Sequence, residues 1–278
     1  MKLTSNSSPR RTHQRAAPAP VIFCAAVSIL PGALVAQPIR VIPFSESKPF
    51  QMGDVTSRRI VHPGLGAKQT TLNYSVSRPG AEFAQHVHDG CDDTILVLQG
   101  EVNLRQGGSL HLFRAGEAAF VPAGQIHGTV TAGTGEAIMI SFQNPPDLIL
   151  YTGARDSSKP GAAPPKGDIT PGAVKYVRFD DKNGSFTSPA MGARRGAGAH
   201  RKLGPSESFP GQVEAGGEQV LFVWKGVIQV KDKNGSYQAE EKDAVFIQGP
   251  AEFTVSGAPG PVEARVIQIQ APPARGGR

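Results

Sequence analysis

The chain has 278 residues, enough for two domains of about 110–120 residues each once a leader is set aside. Its formal charge of +6 is not a nucleic-acid signature, because four of the 29 basic residues (Lys2, Arg10, Arg11 and Arg15) lie in residues 1–36, which hold no acid. Beyond residue 36 the balance is 25 basic to 23 acidic (29 less 4), with 6% aromatics and no basic stripe, which argues against a nucleic-acid partner.

Residues 1–36 read as a signal peptide. The basic start leads into the apolar run Val21 to Leu30, Pro31-Gly32 breaks it, and Ala-Leu-Val-Ala ends at Ala36 as a cleavage site. The run is too short to span a bilayer comfortably, so no stable membrane span is expected after processing. The expected location is the periplasm or the exterior. The Sec route is favoured over the twin-arginine route, because no apolar residue soon follows Arg10-Arg11.

From there on the pattern is β. Short apolar runs (TILVLQ, AAFVP, AIMISF, QVLFVW, DAVFI) are bounded by Gly, Pro, Asn or Asp, in keeping with 33 Gly and 24 Pro. Asn183-Gly184 and Asn234-Gly235 read as hairpin turns. A Pro/Gly/Ala/Lys stretch without apolar periodicity places a linker at 157–170, between domains at 37–156 and 171–278.

The chemistry concentrates between residues 80 and 127. His86 and His88 are two apart, so on a strand they share a face with Cα atoms roughly 6.6 Å apart. His127 and Asp93 are the candidates for further ligands, with Asp92 as a rival to Asp93. Gly80, His86, His88, Gly100, Gly116, Pro122, Gly124 and His127 resemble, at every spacing, the two signature motifs of the cupin superfamily, G-x5-H-x-H-x3-4-E-x6-G and G-x5-P-x-G-x2-H-x3-N. Asp93 stands where the family has Glu and Thr131 where it has Asn. The shorter Asp side chain leaves both a three-histidine and a four-ligand site open.

The resemblance implies an all-β fold of two tandem jelly-roll (cupin) β-barrels. It also implies a divalent transition metal on His86, His88, His127 and Asp93. Fe2+ or Mn2+ is expected first, with Zn2+, Ni2+ or Cu2+ as alternatives. Family members with such sites include dioxygenases, decarboxylases, lyases and isomerases, so a dioxygenase-like oxidoreductase acting on a small aromatic, enol or acid substrate is expected. The alternatives are a lyase or decarboxylase, or a non-catalytic ligand-binding or stress protein. Ligand parity suggests an apolar pocket lined by Tyr74, Phe83, Ile95, Val97, Phe120, Ile140 and Phe142, with Tyr74 as the candidate catalytic proton handle.

The second half repeats the first at a constant offset of 126 residues, seen in Gly100 and Gly226 and in Phe120 and Phe246. The offset carries His86 to Gln212, His88 to Glu214, Asp93 to Gln219 and His127 to Phe253, so the imidazoles are lost. A degenerate second domain is expected, covering apolar surface or supporting homodimer contacts. Glu214, Glu218 and His200 are the residues left for a weak second site. Cys24 leaves with the leader, so Cys91 stands alone as a loop residue, a soft ligand or a reactive thiol.

Overall fold

The computed structural model describes residues 38–149, 166–180 and 183–272. The leader and residues 157–165 of the linker lie outside these. The architecture is all-β, and helix among the described residues is limited to three-residue 3-10 turns at Phe44–Glu46, Pro63–Leu65 and Pro189–Met191.

Each half is a two-layered antiparallel sandwich. In the first, seven strands run in the order Lys175–Arg178, Glu117–Val121, Asp92–Gln99, Ala137–Asn144, Leu72–Ser77, Val55–Val61 and Pro49–Met52. A four-stranded sheet of Glu82–His86, His127–Ala132, Glu101–Gln106 and Ser109–Arg114 packs against it. The second half has a six-stranded sheet in the order Ile39–Ile42, Ala244–Gln248, Glu218–Lys225, Ala264–Ala271, Ala197–Leu203 and Gly184–Thr187. Its partner sheet holds Ser208–Val213, Ala251–Gly257, Ile228–Lys231 and Ser236–Ala239. The sheets face one another in the jelly-roll manner without closing into a continuous barrel.

The duplication is visible in local detail. Asp92–Gln99 and Glu218–Lys225 lie 126 residues apart and share one burial pattern, six buried positions followed by a half-buried and an exposed one. Both strands end at a glycine in the left-handed region, Gly100 at φ 78° and Gly226 at φ 74°. A side chain at Gly100 would also meet the Glu136 carbonyl, so the turn needs glycine for two reasons. Asn234-Gly235 forms the expected hairpin end, with both amides donating to Asp232 Oδ1 at 2.9 Å.

Sheet membership does not follow chain order. Ile39–Ile42 pairs with Ala244–Gln248 of the second half, Ile39 opposite Ile247. Lys175–Arg178 pairs with Glu117–Val121 of the first half, Lys175 opposite Phe120. Each half therefore borrows an edge strand from the segment that precedes the other. The linker's last residues are also docked, with Ile126 N donating to Asp168 O at 2.9 Å and Asp168 N to Gly124 O at 2.8 Å.

The largest core lies between the halves. Leu72, Tyr74, Leu96, Ile140 and Phe142 of one large sheet meet Val220, Phe222, Phe246, Ile267 and Ile269 of the other. The large sheets are thus buried on both faces. That is why Ile95 to Leu98 reads as an unbroken apolar run instead of an alternation. Each side chain of this kind contributes roughly 1.5–3 kcal/mol on burial. Smaller cores fill each sandwich, one around Ile95, Val97, Leu104 and Phe113 and one around Leu221, Val230, Phe253 and Val255.

Candidate metal centre

His86 ends the strand Glu82–His86, and His127 begins the strand His127–Ala132 directly opposite it. A direct antiparallel pair brings the two Cα atoms to about 4.5–5.5 Å. Asp93 enters from the facing large sheet, as the second residue of Asp92–Gln99. His88 lies past the strand end, in the following loop. The backbone carbonyl of His88 accepts from Gly124 N at 2.7 Å, which ties the two ligand-bearing segments together.

The four side chains converge. His86 Nε2 is 3.1 Å from His88 Nε2, and Asp93 Oδ2 is 3.4 Å from His127 Nε2 and 3.6 Å from His88 Nε2. One ligand atom from each lies within 4.8 Å of the other three. All four residues are buried, at 6%, 2%, 5% and 1% exposure for His86, His88, Asp93 and His127, so water does not screen them.

Every imidazole is held by its other nitrogen. His86 Nδ1 donates to Ala84 O at 3.0 Å, and His127 Nδ1 donates to Gln125 O at 3.1 Å. His88 Nδ1 faces the Asp147 carboxylate at 2.8 Å. Anchoring Nδ1–H this way turns the Nε2 lone pairs inward. Burial holds His86 well below the usual imidazole pKa of 6.5, and the neighbouring His127 and His88 add to this. For His88 burial works in the same direction, but hydrogen bonds to Asp147, Asp93 and Cys91 outweigh it and raise the pKa well above 6.5. Burial would raise the Asp93 pKa, yet His127 and His88 bring it far below the carboxylate range.

These residues fit a divalent transition metal. Three imidazole lone pairs and a carboxylate face one point, and buried Asp93 Oδ1 has no hydrogen-bond partner among the described residues. Asp93, the shorter residue, still reaches the cluster. The rival Asp92 turns away, to Ala123 N at 3.1 Å and Arg195 at 2.9 Å. Buried Cys91 groups with His88 and Asp147, not with Asp93 and His127, and burial pushes its thiol pKa up, which disfavours the ligating thiolate.

Residues 74–142 match the family model of the cupin domain. Within the first half, residues 74–142 form a cupin domain. The fold of the two halves together recurs in solved structures. The pirin YhhW from Escherichia coli in complex with nickel(II) aligns with a TM-score of 0.64 at 18% identity, over 85% of this chain and 100% of that one. Protein Ylba from E. coli aligns with a TM-score of 0.64 at 12% identity, over 84% and 90%. Bacillus subtilis oxalate decarboxylase, described with Mn(II) centres, aligns with a TM-score of 0.60 at 11% identity, over 85% and 78%. At these identities the likeness is one of fold. No curated protein sequence matches the chain significantly.

The second half has no counterpart of this centre among the described residues. Phe253, at the His127 position, is buried in that half's own core, and its ring lies where a side chain on Gly211 would fall. Gln212 and Glu214 are exposed and hydrogen-bond each other at 3.1 Å. Glu218 holds the backbone amides of Lys68, Gln69 and Thr70, and His200 lies among Phe179 and Trp224.

A narrow cavity of about 70 Å³ adjoins His86, Asp93 and His127 in the first cupin domain. Of the expected lining residues, Phe83, Ile95 and Ile140 border it. Tyr74 does not. It faces the other half, 4.9 Å from the Phe44 ring and 6.3 Å from that of Phe222. Its strand neighbours Asn73 and Ser75 take the cavity side, so Tyr74 is not in place to be a proton handle. Phe142 belongs to the shared core, and Val97 and Phe120 are buried away from the cavity. The wall is instead substantially polar, with Ser57, Arg59, Asn73, Ser75, Ser141 and Gln143. Asp147 is the site residue that the sequence pattern did not single out.

Proposed function

We propose that the protein is an exported, metal-dependent cupin acting as a dioxygenase-like oxidoreductase on a small organic substrate, with one metal per chain. The observation that carries this reading is the ligand set. Three imidazoles anchored through Nδ1, and one carboxylate, converge beside a cavity. Such a set holds Fe2+ or Mn2+ through mixed nitrogen and oxygen donors and leaves coordination positions open. The bound ion would supply Lewis acidity and redox chemistry at those positions.

The chain's own residues do the rest. Ala84, Gln125 and Asp147 fix the ring orientations of His86, His127 and His88. Phe83, Ile95 and Met139 keep one side of the cavity apolar. The test is turnover of a panel of diphenols, enediols and hydroxy acids by Fe2+- or Mn2+-loaded protein, followed by O2 uptake. Substrate-dependent O2 uptake that is lost in His127→Ala supports the reading. Product release without O2 uptake would move the protein to the lyases or decarboxylases, and no turnover would make it a binding protein.

Export is the second part of the proposal, supported by the charged-then-apolar order of residues 1–36 and by Ala36. N-terminal sequencing of protein from the periplasmic fraction should begin near Gln37. An intact Met1 there would refute it.

A further inference from the structure

The halves meet through two contacts that the duplication makes equivalent. In each half a three-residue 3-10 turn, Pro63–Leu65 or Pro189–Met191, is closed by a glycine in the left-handed region, Gly66 at φ 89° or Gly192 at φ 90°. The segment that follows reaches the acid opening the other half's central strand. Lys68, Gln69 and Thr70 meet Glu218, while Arg195, the counterpart of Gln69 (195 − 126 = 69), meets Asp92. The chemistry of the two contacts differs. Glu218 accepts from backbone amides, whereas Asp92 Oδ1 accepts from Arg195 Nη1 at 2.9 Å. Gly196 seats this segment closely, since a Cβ there would come within 2.7 Å of Asn144, the register partner of Asp92.

A second difference lies behind each acid. Asp92 Oδ1 also accepts from Ala123 N at 3.1 Å. The counterpart of Ala123 is Gly249 (123 + 126 = 249), whose amide donates to Gly217 O at 3.0 Å. That turn reaches Glu218 through the Gln248 side chain, at 3.3 Å. Among the described residues, a guanidinium–carboxylate–backbone line therefore exists in the metal-bearing half alone. Its far end matters. Next to Ala123, Gly124 N donates to His88 O at 2.7 Å, and Gln125 O accepts from His127 Nδ1 at 3.1 Å. Next to Asp92 stands Asp93. The Asp92 carboxylate thus ties the segment of Asp93 to the turn that orients His88 and His127.

Arg195 is what keeps that carboxylate in place. Asp92 is buried, and its Oδ2 has no hydrogen-bond partner among the described residues. Removing one partner of such a pair leaves an uncompensated buried charge, which is strongly unfavourable. The carboxylate would turn toward water and let go of Ala123 N. We infer that Arg195 is a positioning residue for the metal centre, acting through Asp92 and Ala123 on the way His88 and His127 face Asp93. This rests on the reading of the metal centre above. The second half thereby acts on the centre of the first.

The test is Co2+ binding to the full chain without substrate, read by the visible d–d bands and by chelator competition. Arg195→Ala should weaken Co2+ affinity about tenfold, at the low end for a group supporting the ligands from behind. It should also shift the bands, because the ligand angles change. Arg195→Met keeps the aliphatic stem, should behave alike, and carries the test should the smaller variant fail to fold. Arg195→Lys, which keeps the charge, should fall between Arg195→Met and wild type. Glu218→Ala breaks the equivalent contact at the other acid, and its affinity and bands should match wild type. Wild-type affinity and bands in a folded Arg195→Ala or Arg195→Met would overturn the proposal, as would an equal effect of Glu218→Ala, which would mean a general loosening of the two halves. Failure of the metal reading looks different: Co2+ binding would then be indifferent to His127→Ala.

Discussion

Asp92 and Glu218 stand 126 residues apart, open the central strands of the two halves, and each grips the opposite half. Asp92 Oδ1 accepts from Arg195 at 2.9 Å. Glu218 accepts from the amides of Lys68 at 2.8 Å, Gln69 at 2.8 Å and Thr70 at 3.2 Å. The duplicated position thus kept an acid and a task. Both acids are buried, but the partner of Asp92 is not: the Arg195 side chain is 43% exposed.

Glu218→Ala should cost about 2–3 kcal/mol, since it orphans three amide donors at once, that of Thr70 fully buried. Arg195→Ala should cost about 1–3 kcal/mol, because the guanidinium is half exposed but the Asp92 carboxylate it leaves behind is buried. Urea unfolding followed by far-UV circular dichroism and by Trp224 fluorescence checks both. The two probes should give coincident transitions, because the largest core and both exchanged strands join the halves. Separate transitions would show the halves to be independent.

Metal content should be one ion per chain and should be lost in His86→Ala or His127→Ala, because each removes one of three lone pairs aimed at the same point. Asp93→Ala should weaken binding less than either, as a carboxylate alongside three imidazoles. Asp147→Ala should weaken affinity by roughly 10–100-fold, the usual cost of losing a hydrogen-bond partner behind a ligand. Asp147→Asn keeps an acceptor for His88 Nδ1 and should fall between. Elemental analysis after dialysis, with chelator competition for affinities, reads all of these.

Loading should release at least one proton per ion near pH 7, the one on His88. In the metal-free protein His86 is already neutral, since burial holds its pKa well below 6.5, and Asp93 is already ionised. His88 opposes its own burial through Asp147, Asp93 and Cys91 and is cationic. Its Nε2 proton must leave before that nitrogen can ligate. Affinity should rise about tenfold per pH unit until the raised His88 pKa is passed. The linkage to metal-free stability has two signs. The His88 contribution is full below 6.5 and is lost as pH rises through its raised value, whereas the His86 contribution is lost as pH falls below 6.5 toward its lowered one. Titration calorimetry in buffers of different ionisation enthalpy measures the proton count, and a count of zero would contradict it.

The clustering of His86, His88, Asp93 and His127 was legible because their spacing sits within two short segments, and the absence of a like cluster among the described residues of the second half because the repeat is ungapped over those segments. The inward face of Leu72–Ser77 was not legible. Parity cannot be carried from one strand to another, and Tyr74 is as well buried against Phe222 as it would be in a cavity. An apolar pocket was expected because the shared core between the halves was not. Asp147 follows the last strand of the first sandwich and lies 20 residues beyond His127, in a stretch with no motif; only the tertiary fold brings it to His88. The exchanged strands Ile39–Ile42 and Lys175–Arg178 likewise look locally like any other edge.

Phe253→Ala tests whether the second half is a filled copy of the first. It stands where the 126-residue offset carries His127, and its ring packs among Val213, Leu221, Val230 and Val255. Truncation should leave a cavity and cost about 3–5 kcal/mol. Metal content should stay at one per chain, because the equivalents of the other ligands, Gln212, Glu214 and Gln219, offer no imidazole and two of them are exposed. The triple variant Gln212→Ala, Glu214→Ala, Gln219→Ala should likewise keep its metal and its turnover within a few-fold, read by elemental analysis and O2 uptake. Loss of the ion in that variant while it remains folded would place the chemistry in the second half, and the assignment of His86, His88, Asp93 and His127 as the sole centre would fall with it.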